Sequence, residues 1–164
     1  EIIPQEYVDK IKESASFQEG MATLRQLSFG ILDMAFHSNN PSVITNIKAF
    51  EKTAFEDTSL YPDVAENCMS VSFSHIFAGG YSSGYYSYIW SGVLDTDAFE
   101  AFKTTTLFNP EKAKLFRENV LERGGTEDPM VLYKRFRGAE PSIEPLLRKR
   151  GLDKKTESLK KVKG

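Results

Sequence analysis

Four tyrosines crowd one short stretch of this chain, His75-Ile76-Phe77-Ala78-Gly79-Gly80-Tyr81-Ser82-Ser83-Gly84-Tyr85-Tyr86-Ser87-Tyr88. A tyrosine phenol is a neutral hydrogen-bond donor at pH 7, with an ordinary pKa near ~10. If the part after Gly80 is helical, Tyr81, Tyr85 and Tyr88 fall at i, i+4 and i+7 on one face. Such a row could donate hydrogen bonds to a carbonyl oxygen that turns negative during reaction. Gly79 and Gly80 permit positive φ and let a substrate chain approach closely. The same residues fit a structural role equally well. Aromatic side chains at helical spacing usually pack helices together, a Gly-Gly pair usually makes a turn, and His75 beside Ile76 and Phe77 fits a hydrogen-bonded structural histidine. Pattern alone leaves both readings open.

The elements around this stretch read as helices. Pro4, Glu6 and the run from Val8 to Ile11 mark a short helix start, because proline suits the first helical turn. Ser14 and Ser16 interrupt it. The strongest helical pattern runs from about Phe17 to His37, with apolar residues on more than one face, which predicts a helix buried on most sides. Asn39, Asn40 and Pro41 end it. Ser42 is the expected N-cap of the next helix, where Val43, Ile44, Ile47, Phe50, Ala54 and Phe55 keep helical spacing. Residues 57–67 read as a loop around Pro62. A long helix is predicted over about 82–103, another from Asn109-Pro110 to Gly124-Gly125, one from Asp128-Pro129 to Gly138, and a last short one between Pro141 and Gly151. The only alternating run, Val71 to Phe73, is too short for a convincing strand. The expected fold class is all-α.

The 164 residues suit a compact domain with a sizeable core: 40% are hydrophobic and 27% charged. A net charge of -2 argues against nucleic acid as a partner, since phosphate binding needs concentrated positive surface. Cys68 is the only cysteine, so no intrachain disulfide can form and a reducing compartment is favoured. The apolar segment from Ile31 to Phe36 is far too short to span a bilayer. No basic-then-apolar leader opens the chain. It begins Glu1-Ile2-Ile3 without methionine, which suggests a trimmed precursor or, on the resemblance given below, part of a longer protein. Residues 153–164 form a lysine-rich tail with few apolar side chains, read as a solvated terminus.

The tyrosine-rich stretch, continued through Ile89-Trp90-Ser91, closely resembles the C-terminal motif of the thimet oligopeptidase and bacterial peptidyl-dipeptidase family. The likeness extends over nearly the whole chain. It includes Leu32-Asp33-Met34-Ala35, Asp95-Thr96-Asp97-Ala98-Phe99, Arg123-Gly124-Gly125 with Asp128-Pro129, Phe136-Arg137-Gly138, and Leu146-Leu147-Arg148-Lys149-Arg150-Gly151-Leu152. The His-Ile-Phe spacing before the glycines looks more like the bacterial peptidyl-dipeptidases than the animal oligopeptidases.

The resemblance implies a nearly all-helical zinc peptidase. Family members bind one zinc through a His-Glu-x-x-His helix and a later glutamate. Here His37 and His75 are the only histidines, and neither is followed by Glu-x-x-His. The resemblance therefore places the zinc helix upstream of Glu1, with residues 1–152 as a C-terminal lobe. Zinc would belong to the full-length enzyme, with none bound by this fragment. By the same resemblance, Tyr88 and Tyr81 match tyrosines facing the scissile carbonyl, and Tyr88 is the better oxyanion donor. His75 matches a histidine at the substrate backbone or reacting centre. Gly79 and Gly80 match a flexible substrate-side loop, and Tyr85 is either substrate-facing or packing. His37 and Asp33 receive no site role. The implied activity is release of C-terminal dipeptides from peptides. Endo-acting cleavage by the same machinery is one alternative, and a non-catalytic helical interaction domain is another. Expected partners are a peptide substrate, the missing N-terminal part of the polypeptide and a second copy of the fragment, with neither nucleic acid nor membrane. The expected compartment is the cytoplasm, with the periplasm as the alternative.

Overall fold

The computed structural model describes residues 2–153. The fold is all-α: among the described residues there is no strand. Most of the tail, residues 154–164, lies outside the described residues. The chain forms two compact units, one ending at Trp90 and one beginning at Ser91.

In the first unit, α1 (Gln5–Ser14) starts at Pro4, whose φ of -55° is already compatible with a helix. Helix α2 (Glu19–Ser38) follows Gln18, a left-handed residue at φ 56° that separates the two helices. Asn39 closes α2 by donating from Nδ2 to the Ala35 carbonyl at 2.8 Å. The buried face of α2 carries Phe29, Gly30, Leu32 and Asp33. The expectation of burial on most sides is not met: Met21, Leu27, Ile31 and Met34 are each about two-fifths exposed. Among the described residues, the buried positions of α2 are confined to one face.

The helix expected from Ser42 is split in two. Asn40 caps a 3₁₀ turn, Pro41–Val43, by accepting from Ser42 N. Asn46 then caps α3 (Ile47–Ala54) by accepting from Ala49 N. Each asparagine oxygen satisfies an orphan donor, so the starts lie at Asn40 and Asn46 and Ser42 is not an N-cap. Residues 57–67 are a loop. A second 3₁₀ turn, Met69–Ser72, takes up the alternating run at Val71, and α4 (Ser74–Phe77) follows. Phe29, Leu32, Phe73 and Ile76 form the core of this unit, with Phe36, Ala54, Phe55, Met69 and Tyr85 packed against them.

Helix α5 (Ser87–Lys103) begins five residues later than the spacing predicts. In the second unit, Asn109 caps α6 (Pro110–Phe116) by accepting from Lys112 N. This helix does not run regularly to Gly124. It widens into a π-turn over Arg117–Leu121, closed by Glu122 N donating to Arg117 O at 2.9 Å. There the Asn119 side chain donates to the Leu115 carbonyl, a bond that competes with regular α pairing. Asp128 caps α7 (Pro129–Arg137) by accepting from Met130 N and Val131 N, and Gly138 ends it at φ 82°. A short α8 (Glu144–Lys149) follows. Val93, Ala101, Leu132, Tyr133, Phe136 and Leu146 are buried in this unit. Asp97, only 2% exposed, accepts from the Tyr133 hydroxyl at 2.6 Å and from Arg137 Nε at 3.0 Å.

Candidate active site

The tyrosine stretch is shaped by the backbone ahead of it. After α4 the chain reverses, and Tyr81 N donates to the His75 carbonyl at 3.1 Å. A side chain at position 79 would not fit, because its Cβ would lie 2.9 Å from His75 Cα and 3.0 Å from His75 O. Gly80 has a φ of +78°, the region only glycine enters without strain. The two glycines are therefore needed by the turn itself. Ser82 Oγ ties it down by donating to the Ile76 carbonyl at 2.5 Å.

Residues 82–86 are not part of an α-helix; they form a series of turns, with Ser83 at φ 56°. Of the three tyrosines expected on one helix face, only Tyr88 lies on a helix. The physical reason is Asp33 on α2. Its Oδ1 accepts from Ser83 N and its Oδ2 from Tyr85 N, both at 2.9 Å. The carboxylate takes up two backbone donors and shapes the turn around itself.

The turn nevertheless gathers the rings. Tyr81 and Tyr88 stack with centroids 5.1 Å apart, and Tyr85 and Tyr88 lie 5.0 Å apart. The His75 ring is 6.1 Å from Tyr81 and 6.0 Å from Tyr85. Tyr85 is half-buried and meets Phe73 edge-on at 5.0 Å and Phe29 at 5.9 Å. It thus joins the row to the core. His75 is exposed, and Tyr88 is 43% exposed. The Tyr88 pKa is pushed up to about 12, chiefly by the hydrogen-bonding Tyr81 side chain beside it. Partial desolvation and the charges that Tyr81 and Tyr85 would carry push it the same way. Tyr88 therefore remains a protonated donor through the whole neutral range.

Two carboxylates outside the tyrosine stretch shape this region. Asp33 stands out as an acid inside the apolar run Gly30-Ile31-Leu32-Asp33-Met34-Ala35-Phe36, and it is fully buried. Glu51 gave no signal at all. Its Oε1 accepts from Met69 N at 2.8 Å and its Oε2 from Ser70 N at 2.7 Å, so it caps the 3₁₀ turn that leads into α4.

Among the described residues, no three His, Cys, Asp or Glu side chains come together as a metal site. His37 Nδ1 faces the Asp33 carboxylate at 2.8 Å instead. A catalytic zinc takes three protein ligands. The described residues do not supply that set.

Residues 1–152 match the profile of Peptidase family M3. The chain belongs to peptidase family M3. It is similar to "Oligopeptidase A" of Haemophilus influenzae, at 42% identity over 93% of this chain and 22% of that protein. It is similar to "Oligopeptidase A" of Escherichia coli, at 38% identity over 93% of this chain and 22% of that protein. A "Dipeptidyl carboxypeptidase" of Salmonella typhimurium is 34% identical over 94% of this chain and 23% of that protein. The chain thus spans about a fifth of the length of the M3 relatives it matches. The M3 match covers all four tyrosines, Tyr81, Tyr85, Tyr86 and Tyr88, and the Asp33 anchor beneath them.

Proposed function

We propose that residues 1–152 are the C-terminal lobe of a zinc-dependent M3 peptidase, and that Tyr88 donates a hydrogen bond to the oxyanion of the scissile peptide. The observation that carries this reading is Tyr88 itself. It is an accessible phenol that stays protonated at neutral pH, stacked on Tyr81, whose ring lies 6.1 Å from that of the exposed His75. Zinc would supply polarisation of the carbonyl and activation of water, from ligands outside this chain.

In this reading the carbonyl carbon gains a bond to a water oxygen and its own oxygen becomes negative. Tyr88 O–H then makes a hydrogen bond that is stronger in the transition state than in the bound substrate. Tyr81 holds the Tyr88 ring in place and offers a second donor. His75, Gly79 and Gly80 line the path of the substrate backbone. Tyr85 anchors the row on the core. The C–N bond then breaks as the oxyanion collapses to a carboxyl group, and the amine leaves with the proton that the attacking water has given up.

The product pattern follows the relatives. Endo-acting cleavage is supported by the 42% identity to the Haemophilus oligopeptidase A. Release of C-terminal dipeptides is the second reading, supported by the 34% identity to the dipeptidyl carboxypeptidase. A peptide with an amidated C-terminus separates them, since an endo-acting enzyme cleaves it and a dipeptide-releasing one requires the free carboxylate. Membership of a peptidase family counts against a purely non-catalytic domain. The proposed compartment is the cytoplasm.

Two measurements test the proposal. In the complete polypeptide, Tyr88→Phe keeps the ring and deletes the donor. The expected loss is on the order of 10²-fold in kcat with KM little changed. Tyr81→Phe should cost less, and Tyr86→Phe should be nearly silent. An unaltered kcat in Tyr88→Phe, with fold and metal content intact, would remove the oxyanion role. Separately, the 164-residue chain alone is expected to retain no stoichiometric zinc after dialysis and to cleave no quenched-fluorescence peptide. Tight zinc together with cleavage would overturn the lobe assignment.

A further inference from the structure

We propose that Asp33 is a positioning residue for the tyrosine turn. In this proposal its buried carboxylate, pinned by His37, fixes the backbone at Ser83 and Tyr85 and, through them, the placement of Tyr88. The inference rests on the peptidase reading above and adds a residue that acts through the tyrosines.

The case begins with burial. Asp33 is 0% exposed, and a charge so placed is costly unless it is fully paired. An aliphatic side chain would fill the same site on α2 without that cost, so packing alone does not account for an acid. The pairing is complete. Ser83 N and Tyr85 N each donate at 2.9 Å, one to each carboxylate oxygen. His37 Nδ1 lies 2.8 Å from Asp33 Oδ1 and 2.8 Å from the Asp33 carbonyl. Both of these neighbours are acceptors, so Nδ1 must carry the hydrogen. His37, one helical turn along α2, thereby holds the same carboxylate oxygen that Ser83 N reaches.

The turn's own backbone bonds, Gly84 N to Tyr81 O at 2.8 Å and Ser87 N to Gly84 O at 3.0 Å, leave the Ser83 and Tyr85 N–H groups to Asp33. Ser83 sits at φ 56°, a region that non-glycine residues enter at a cost. Without the anchor, the segment has cheaper conformations to relax into. The anchor is also well placed to act on the phenols. Tyr85 N is one of its two ligands, and the Tyr85 ring is fixed against Phe29 and Phe73. Tyr88 follows three residues later, with its ring 5.0 Å from Tyr85. A shift at Tyr85 therefore carries over to Tyr88. Displacing a catalytic group by about 1 Å is enough to cost on the order of 10²-fold in rate.

The test combines kinetics with amide exchange in the complete polypeptide. Asp33→Asn keeps the side-chain volume but points an amide donor at one of the two backbone donors, so half the anchor is lost. The expected result is a kcat lowered on the order of 10-fold or more with KM little changed. Adding Asp33→Asn to Tyr88→Phe should then lower kcat by no more than about twofold beyond Tyr88→Phe alone. Losses that multiply in the double variant would overturn the proposal, because Asp33 would then act independently of Tyr88. Tyr88→Phe alone judges the oxyanion reading. If that single variant keeps its kcat, the oxyanion reading fails and the Asp33 anchor is decided by exchange. Exchange also decides it if Asp33→Asn fails to fold. In the unmodified protein, the Ser83 and Tyr85 amides should exchange far more slowly than an open surface turn. Open-loop rates at both amides would overturn the anchor with no variant needed.

Discussion

The Tyr81 and Tyr88 rings are stacked, with centroids 5.1 Å apart and planes 27° from parallel. The Tyr81 side chain, chiefly by hydrogen bonding, pushes the Tyr88 pKa up to about 12. An acid whose pKa is raised in the fold favours its neutral form there. That contribution to stability is whole below the ordinary tyrosine range near ~10 and disappears as pH rises through about 12. Ultraviolet difference titration of the wild type and Tyr88→Phe checks this. The variant should lack the latest-ionising tyrosine and keep the others. If the missing component instead titrates at the ordinary value, the stacked pair does not control the phenol. An alkaline limb of activity well below pH ~10 would then have to come from a group other than Tyr88.

Glu51 should be a strong stability determinant although it touches none of the tyrosines. Besides the two backbone donors, it accepts from Ser70 Oγ at 2.5 Å and faces Cys68 Sγ at 3.8 Å. Glu51→Ala orphans those donors at the entrance to α4. The expected destabilisation is about 2–3 kcal/mol, read from denaturant midpoints with unchanged slope. A shift below about 0.5 kcal/mol would mean that water replaces the carboxylate without cost.

Gly79→Ala should be damaging where Gly124→Ala is mild. A Cβ at position 79 collides with His75 backbone, which cannot retreat as a flexible side chain would. At position 124 the nearest atom is Val120 O at 3.5 Å, an ordinary contact. The expected cost at 79 is about 1–3 kcal/mol, together with a fall in peptidase activity of the complete polypeptide as His75 and Tyr81 move. Equal melting temperatures for the two variants would contradict the geometry.

Helix ends written in local chemistry were legible in the sequence. Pro4, Asn109-Pro110 and Asp128-Pro129 mark starts, and Gly138 marks a stop, because proline, Asx caps and left-handed glycine act within a few residues. The start of α5 was not legible. Tyr81 to Tyr86 have helical spacing, but the donors of Ser83 and Tyr85 are claimed by Asp33, 50 and 52 residues away. No local pattern encodes that competition. Ser42 misled for a related reason, since two better caps, Asn40 and Asn46, stand on either side of it. The tyrosines and glycines of the candidate site were visible as a cluster. The carboxylate beneath them looked like any buried acid, and its partners emerged only from the fold.

In the second unit, Asp97 predicts a graded pair of effects. It pairs with Arg137 and Tyr133 while 2% exposed. Burial first, and then the Asp97 carboxylate, raise the Tyr133 pKa above its ordinary range, so this phenol stays a donor. Asp97→Ala strands a partly buried guanidinium and should cost about 3 kcal/mol. Tyr133→Phe removes a single hydrogen bond and should cost about 1 kcal/mol. Chemical denaturation of both variants measures the difference. Equal losses would show that Arg137 gains nothing from Asp97.

The span between Asp33 and Tyr85 has a consequence for how the molecule assembles. A hydrogen bond inside α2 closes a loop of four residues, whereas the carboxylate must find partners 50 and 52 residues along the chain. Loop-closure entropy makes such a bond late, after nearby helices have formed and docked. The tyrosine motif is present in every newly made copy, yet the row exists only once α2 and the turn have met. Readiness for chemistry is thus tied to completion of folding, and a chain caught partway carries the letters of the site without its shape.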